Sequence, residues 1–152
     1  MSETVTQGAY LIREADWRVE REALLRVRHA VFTQEQDVAP DEDEDGRDPE
    51  SLHAVATLGG EPVATGRVLP EGRIGRLCVL GAHRNRGVGS ALFAFLFGRA
   101  KELGWPRVTL HAQLHAVHLY EKFGFRVTGD VFLDANIEHL NMVWERPSED
   151  RS

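Results

Sequence analysis

Cysteine is almost absent from this chain, with Cys78 the single one in 152 residues. No internal disulfide can form, so a reducing compartment, the cytoplasm, is the expected location. Long hydrophobic runs are missing as well, and nothing approaches the roughly 20 apolar residues that span a bilayer. The opening MSETVTQGAYLIREADW lacks the basic-then-apolar pattern of a secretory signal, and no membrane partner is expected. Positive charge is in deficit: 18 Lys and Arg face 24 Asp and Glu, for a net charge of −6. That balance argues against a nucleic-acid surface. Lysine is represented only by Lys101 and Lys122, and neither follows a glycine. A Walker-type phosphate loop, which needs GK[ST], is therefore excluded.

What is present fits one ordinary domain, with 42% hydrophobic and 28% charged residues. We expect the domain to fill 1–147 and the last residues, 148–152, to fray. GAYLIREA reads as a first strand, and Asp16 as the N-cap of a helix whose face carries Trp17, Leu24, Val27 and Val31. DVAPDEDEDGRDPES has no periodicity and reads as one long exposed loop. LHAVATL and PVATGRVL read as a hairpin closed at GGE, and RIGRLCVL as the next strand. After the glycine-bearing RNRGVG comes an apolar helix, GSALFAFLFGRAKELG. Strand WPRVTLHAQ, the short helix AVHLYEKFG, and strands FRVTGDVFLD and IEHLNMVWE complete the chain. Hairpins mixed with single crossovers predict an α+β, or mixed α/β, sheet.

RNRGVG, residues 84–89, joins a strand to a helix, a position where converging backbone amides and the helix dipole favour a phosphate. A dinucleotide fingerprint fits poorly, because GVGSAL puts Leu92 where a small third residue is needed. R-x-x-G-x-G, on Arg84, Gly87 and Gly89, fits. It is followed by Gln113, Ala116, Tyr120, Lys122, Gly124 and Phe125 at the spacing N-x-x-A-x-x-x-Y-x-K-x-G-F, with glutamine for asparagine. VRHAVFTQEQ before the acidic loop and IEHLNM near the end match V-R-x-x-V-F-x-x-E-Q and I-P-H-x-x-M, with Glu138 in place of proline. In these blocks the chain resembles the GNAT superfamily of N-acetyltransferases, in its ElaA-like branch, over nearly its whole length.

The resemblance implies an acyl-CoA N-acyltransferase fold, with a central mixed, mostly antiparallel sheet flanked by helices. It also implies acetyl-coenzyme A as co-substrate and transfer to a primary amine, of a small molecule or a peptide, by direct attack. The amides of Arg84, Asn85, Arg86, Gly87, Val88, Gly89 and Ser90 would hold the pyrophosphate, with the Arg84 and Arg86 side chains adding charge. Leu77, Cys78 and Val79 would pair with the pantetheine arm through their backbone, and Gln113 would contact that arm or the tyrosine. Tyr120 would protonate the departing thiolate.

A general base is less marked, because RIGRLCVL lacks the glutamate that many relatives carry there. Candidates are Glu35, His139, His53 and His111, the first two lying in the branch's own motifs; a water chain would need none of them. The missing glutamate also leaves open an acyl-coenzyme A sensor without turnover, and exposed strands leave open a homodimer. No metal is expected. Asp41, Asp43, Asp45 and Gly46 open like an EF-hand, but its twelfth position is Leu52, and His111, His115 and His118 have no carboxylate motif beside them.

Overall fold

A computed structural model describes residues 4–39 and 43–148. Its first element is a hairpin of β1 (Val5–Gln7) and β2 (Tyr10–Ala15), turned at Gly8 with φ +59°. The Asp16 carboxylate then accepts the Arg18 amide at 3.0 Å and caps α1 (Trp17–Arg28). The helix runs straight into one π turn, His29–Thr33, closed by the Gln34 amide donating to the His29 carbonyl at 3.0 Å. After the acidic loop come β3 (Leu52–Leu58) and β4 (Glu61–Val68), joined at Gly59 and Gly60, both at positive φ as a tight hairpin requires. The remaining order is β5 (Arg73–Val79), α2 (Val88–Glu102), β6 (Arg107–Gln113), α3 (Val117–Glu121), β7 (Arg126–Asp134) and β8 (Ile137–Glu145).

All eight strands form one sheet in the order β1-β2-β3-β4-β5-β6-β8-β7, antiparallel except where β5 meets β6. The α+β reading therefore holds. α2 is apolar nearly all round and buries Leu92, Phe93, Leu96 and Phe97 against the sheet, while α1 lies over β4 and β5 on the other face. From α2, Phe93 meets Phe123 and Phe125 edge-on, and Phe97 meets Trp144 edge-on. Gly66 on β4 permits this closeness, since a Cβ there would stand 2.6 Å from Leu77 Cδ1 and 2.8 Å from Leu96 Cδ1.

Two irregularities position the site. Between Thr65 and Arg67 the β4–β5 register slips by one residue, and the extra residue on β5 is accommodated at Arg76, which takes φ +52°. Across from it, β5 and β6 pair only at Arg73↔Thr109 and Ile74↔Leu110. Beyond those two pairs the strands part, and a wedge opens in the middle of the sheet.

The acidic loop is only in part the exposed segment its composition predicts. Asp43 and Asp48 are 2% and 3% exposed, drawn in by arginines. Arg28 donates to both Asp43 carboxylate oxygens and to both of Asp48, at 2.8–3.2 Å. Arg67 reaches Asp45 and Asp48, and Arg76 reaches Asp43 and Asp45. Two buried aspartates and the exposed Asp45 thus meet three arginines, which answers the desolvation the buried charges would otherwise suffer. Asp41, the first position of the EF-hand reading, lies outside the described residues, as do 149–152 of the expected tail.

Candidate active site

The wedge between β5 and β6 opens into a cavity of about 1030 Å³. One end is closed by the RNRGVG turn. Asn85 (φ +63°) and Gly87 (φ +79°) swing the chain into α2, and Gly87 has no side chain to cap the helix. The first amides of α2, on Val88, Gly89 and Ser90, consequently lack helical partners and border the cavity. Gly89 keeps the wall close, since a Cβ there would touch Val79 Cγ2 at 3.4 Å. An unclaimed amide cluster at the positive end of a fifteen-residue helix fits a pyrophosphate.

The two arginines of the turn part company. Arg84 borders the cavity, with Nε donating to the Val79 carbonyl at 3.0 Å and Nη2 2.6 Å from Glu35 Oε1. Arg86 is not in the wall. Its carbonyl accepts from Gln7 Nε2 at 3.3 Å and its guanidinium points to the Tyr10 hydroxyl at 3.5 Å, so it docks the turn on the β1–β2 hairpin. Of the two side chains expected at the pyrophosphate, only that of Arg84 borders the cavity.

Leu77, Cys78 and Val79 form the β5 side of the wedge. The Cys78 side chain packs with Val27 and Val31, and burial pushes its thiol up to about 12, so it is a small core residue with no thiolate to offer. Gln113 is on the β6 side and donates to Gln36 at 3.4 Å. Phe32 and Gln36, carried by and just after the π turn, close the wedge from the α1 side.

Side chains on β6 alternate. Val108, Leu110 and Ala112 enter the core under α2, leaving Thr109, His111 and Gln113 on the opposite face. Tyr120 comes from the α2 side: half-buried, packed edge-on against Phe93 at 4.8 Å, and in the cavity wall. Burial raises its pKa, so the phenol keeps its proton at neutral pH.

The base candidates are scattered. Glu35 is ion-paired to Arg84 at 2.6 Å and does not border the cavity. His53 is also outside: it is buried, stacked on Trp17 at 4.6 Å, with Nε2 2.9 Å from the Asp48 carbonyl. His111 and His139 both border the cavity. His139 Nδ1 donates to the Ile137 carbonyl at 2.7 Å, which fixes the tautomer and leaves Nε2 as the acceptor. His111 Nδ1 is 3.7 Å from Asp134 Oδ2, and burial lowers its pKa, with the positive charge of Arg73 acting in the same direction. No group of three or more His, Cys, Asp and Glu placed to hold a metal occurs among the described residues, and no helix there is long and apolar enough to cross a membrane.

Burial also lowers the His53 pKa, more than its hydrogen bond to the Asp48 carbonyl raises it. In the unfolded chain this imidazole titrates near 6.5. Unfolding below that pH takes up a proton, so stability is full above about pH 6.5 and declines as the pH falls towards the depressed folded value. His111 acts with the same sign. Urea unfolding at pH 7.5 and 5.5 should therefore give a lower stability in acid. An identical decline in His53→Phe would remove His53 as a cause.

Neither the arginine–aspartate cluster nor the π turn was anticipated from the sequence. A signal existed: Arg28 falls four residues after Leu24 on the buried helix face, and Arg67 lies within a buried strand. Each is a cation in an apolar pattern and requires an anion.

The chain is similar in sequence and in fold to known proteins. Residues 19–146 match the model of the acetyltransferase (GNAT) domain. YjcF of Bacillus subtilis, described as an uncharacterized N-acetyltransferase, is 40% identical over 121 residues, 77% of this chain and 86% of that protein. The crystal structure of Escherichia coli ElaA superposes with a TM-score of 0.79 at 29% identity, covering 95% of this chain and 100% of that one. An acyl-CoA N-acyltransferase from Pseudomonas aeruginosa gives a TM-score of 0.76 at 29% identity, over 93% and 99% of the two chains. The chain belongs to the GNAT acetyltransferase family.

Proposed function

We propose that the protein transfers the acetyl group of acetyl-coenzyme A to a primary amine by direct attack, without an acetylated enzyme intermediate. The observation that carries this is the wedge: β5 and β6 part after two residue pairs, beside the uncapped start of α2. Acetyl-coenzyme A supplies the activated acyl carbon. The amides from Arg84 to Ser90 hold its pyrophosphate, and Arg84 adds charge from a position set by Glu35 and the Val79 carbonyl. The backbone of Leu77 to Val79, free on its β6 side, pairs with the pantetheine arm as an added strand would. Gln113 stands across the wedge to meet the same arm.

Tyr120, held protonated by burial, delivers a proton to the leaving sulfur. His139 accepts the amine proton at Nε2, because its other nitrogen is committed to Ile137. A chain with one cysteine suits the cytoplasm as the place of action.

The reading is tested by mixing purified protein with acetyl-coenzyme A and a panel of amines, and measuring released coenzyme A against a control without acceptor. Release above the control with at least one amine class is the expected result. Tight binding of coenzyme A with no release from any amine would instead identify a sensor.

A further inference from the structure

One cation in the cavity wall has been given no task. Arg73 opens β5 and is partly buried; its carbonyl accepts the Leu69 amide and its charge is felt at Glu71, but its side chain makes no hydrogen bond or ion pair among the described residues, and its Nε is buried with no acceptor. Its neighbours in the wall are all engaged. Arg67 is held by Asp45 and Asp48, Arg47 by Glu50 and Glu71, and Arg84 by Glu35. Arg76 reaches Asp43 and Asp45. A guanidinium drawn partly out of water without a partner is costly, and such groups in native proteins usually await one.

Its place says what that partner is attached to. Arg73 pairs with Thr109 at the closed end of the wedge, and His111, two residues on, projects from the same face of β6 as Thr109. The charge of Arg73 is felt at His111, as is the opposite charge of Asp134, whose Oδ2 lies 3.7 Å from His111 Nδ1. The imidazole thus feels both a cation and an anion at the edge of the cavity. Asp43, Asp45 and Asp48 of the acidic loop do not make this end negative, because each of the three is bound by arginine.

Resting on the acetyl-transfer reading, we propose that the acceptor is an amine that also carries a carboxylate, an amino-acid-type substrate, and that Arg73 binds that carboxylate. The guanidinium fork matches a carboxylate with two parallel N–H···O bonds. With the carboxylate so held, the amine is directed to the Asp134 and His111 side, at the wedge. Arg73 is a specificity-determining residue and touches no reacting atom.

The experiment titrates the coenzyme A-loaded protein calorimetrically with the common α-amino acids and short ω-amino acids. Each is matched with its amide and its decarboxylated amine, and an aminoalkyl phosphate is included. Acetyl product is measured in parallel with acetyl-coenzyme A. At least one amino acid should bind about tenfold or more tightly than its amide and its amine, the margin expected for charge-assisted hydrogen bonds. Arg73→Gln should erase that margin and leave coenzyme A affinity within about twofold, and Arg73→Lys should restore part of it. Equal binding of the amides, no binding of any amino acid, preference for the phosphate, or a margin that survives Arg73→Gln would overturn the proposal. Carboxylate-dependent binding without acetyl product would uphold the role of Arg73 and sink the transferase reading. Acetylation indifferent to the carboxylate would do the reverse.

Discussion

Arg28→Met should lower the unfolding free energy by about 3–5 kcal/mol, the range for removing one partner from a buried ion pair. For a domain whose whole stability is about 5–15 kcal/mol, that is a large fraction. Arg28 is 1% exposed and donates through Nε, Nη1 and Nη2 to Asp43, to Asp48 and to the Asp43 carbonyl. Without it, two arginines are left to answer three aspartates, and Asp43 and Asp48 stay buried with too few donors. Arg28→Lys should lose most of the same energy, because one ammonium cannot span two carboxylates and a carbonyl. Urea unfolding with a fixed m-value decides the matter. A loss below about 1 kcal/mol would mean that the loop can open and solvate its carboxylates at little cost.

Acid should reveal the same cluster. Burial alone would raise the Asp48 pKa, but Arg28 and Arg67 outweigh it and bring the net shift below the usual carboxylate range. Asp45 is also depressed, chiefly by its hydrogen bonds from Arg67. Their contribution is complete above the unfolded value of about 3.9 and is lost as the pH falls through the lower folded values.

Tyr120→Phe should reduce kcat by about 10²-fold or more and leave coenzyme A affinity unchanged, as expected for loss of a positioned general acid. The ring itself remains to pack against Phe93, so the fold is undisturbed and only the hydroxyl is removed. The pH profile carries a second signature. If the phenol donates the proton, activity in the parent falls at high pH as the hydroxyl ionises above its ordinary range, and that limb should vanish in Tyr120→Phe. A variant with kcat within a factor of about three of the parent would remove Tyr120 from the chemistry and leave it an aromatic packing residue.

Much of the fold could be read from local pattern, because strands of seven to nine residues and a fifteen-residue apolar helix announce their period. β1 could not: three residues, two of them exposed, carry too little alternation. The burial of the acidic loop is hidden for a different reason. Its arginine partners lie 15 to 33 positions away, on α1, β4 and β5, so nothing within the loop distinguishes a solvated carboxylate from a buried one. Arg84 and Arg86 show the same limit at short range. Two positions apart in one turn, one faces the cavity and the other a hairpin that no local pattern places there. Glu35, striking a pair with Arg84, is legible only once the π turn has carried the chain back over β5.

That turn separates two demands usually tied together. In an unbroken α-helix each residue advances the chain by about 100°, so the residues that pack the core dictate where every later side chain points. A wider turn after Arg28 resets that phase. Leu24, Val27 and Arg28 can answer to the sheet and the buried aspartates, while Phe32 and Gln36 answer to the cavity. The wall over the wedge is thereby adjustable by substitution at these later positions, without retuning the helix that holds the core.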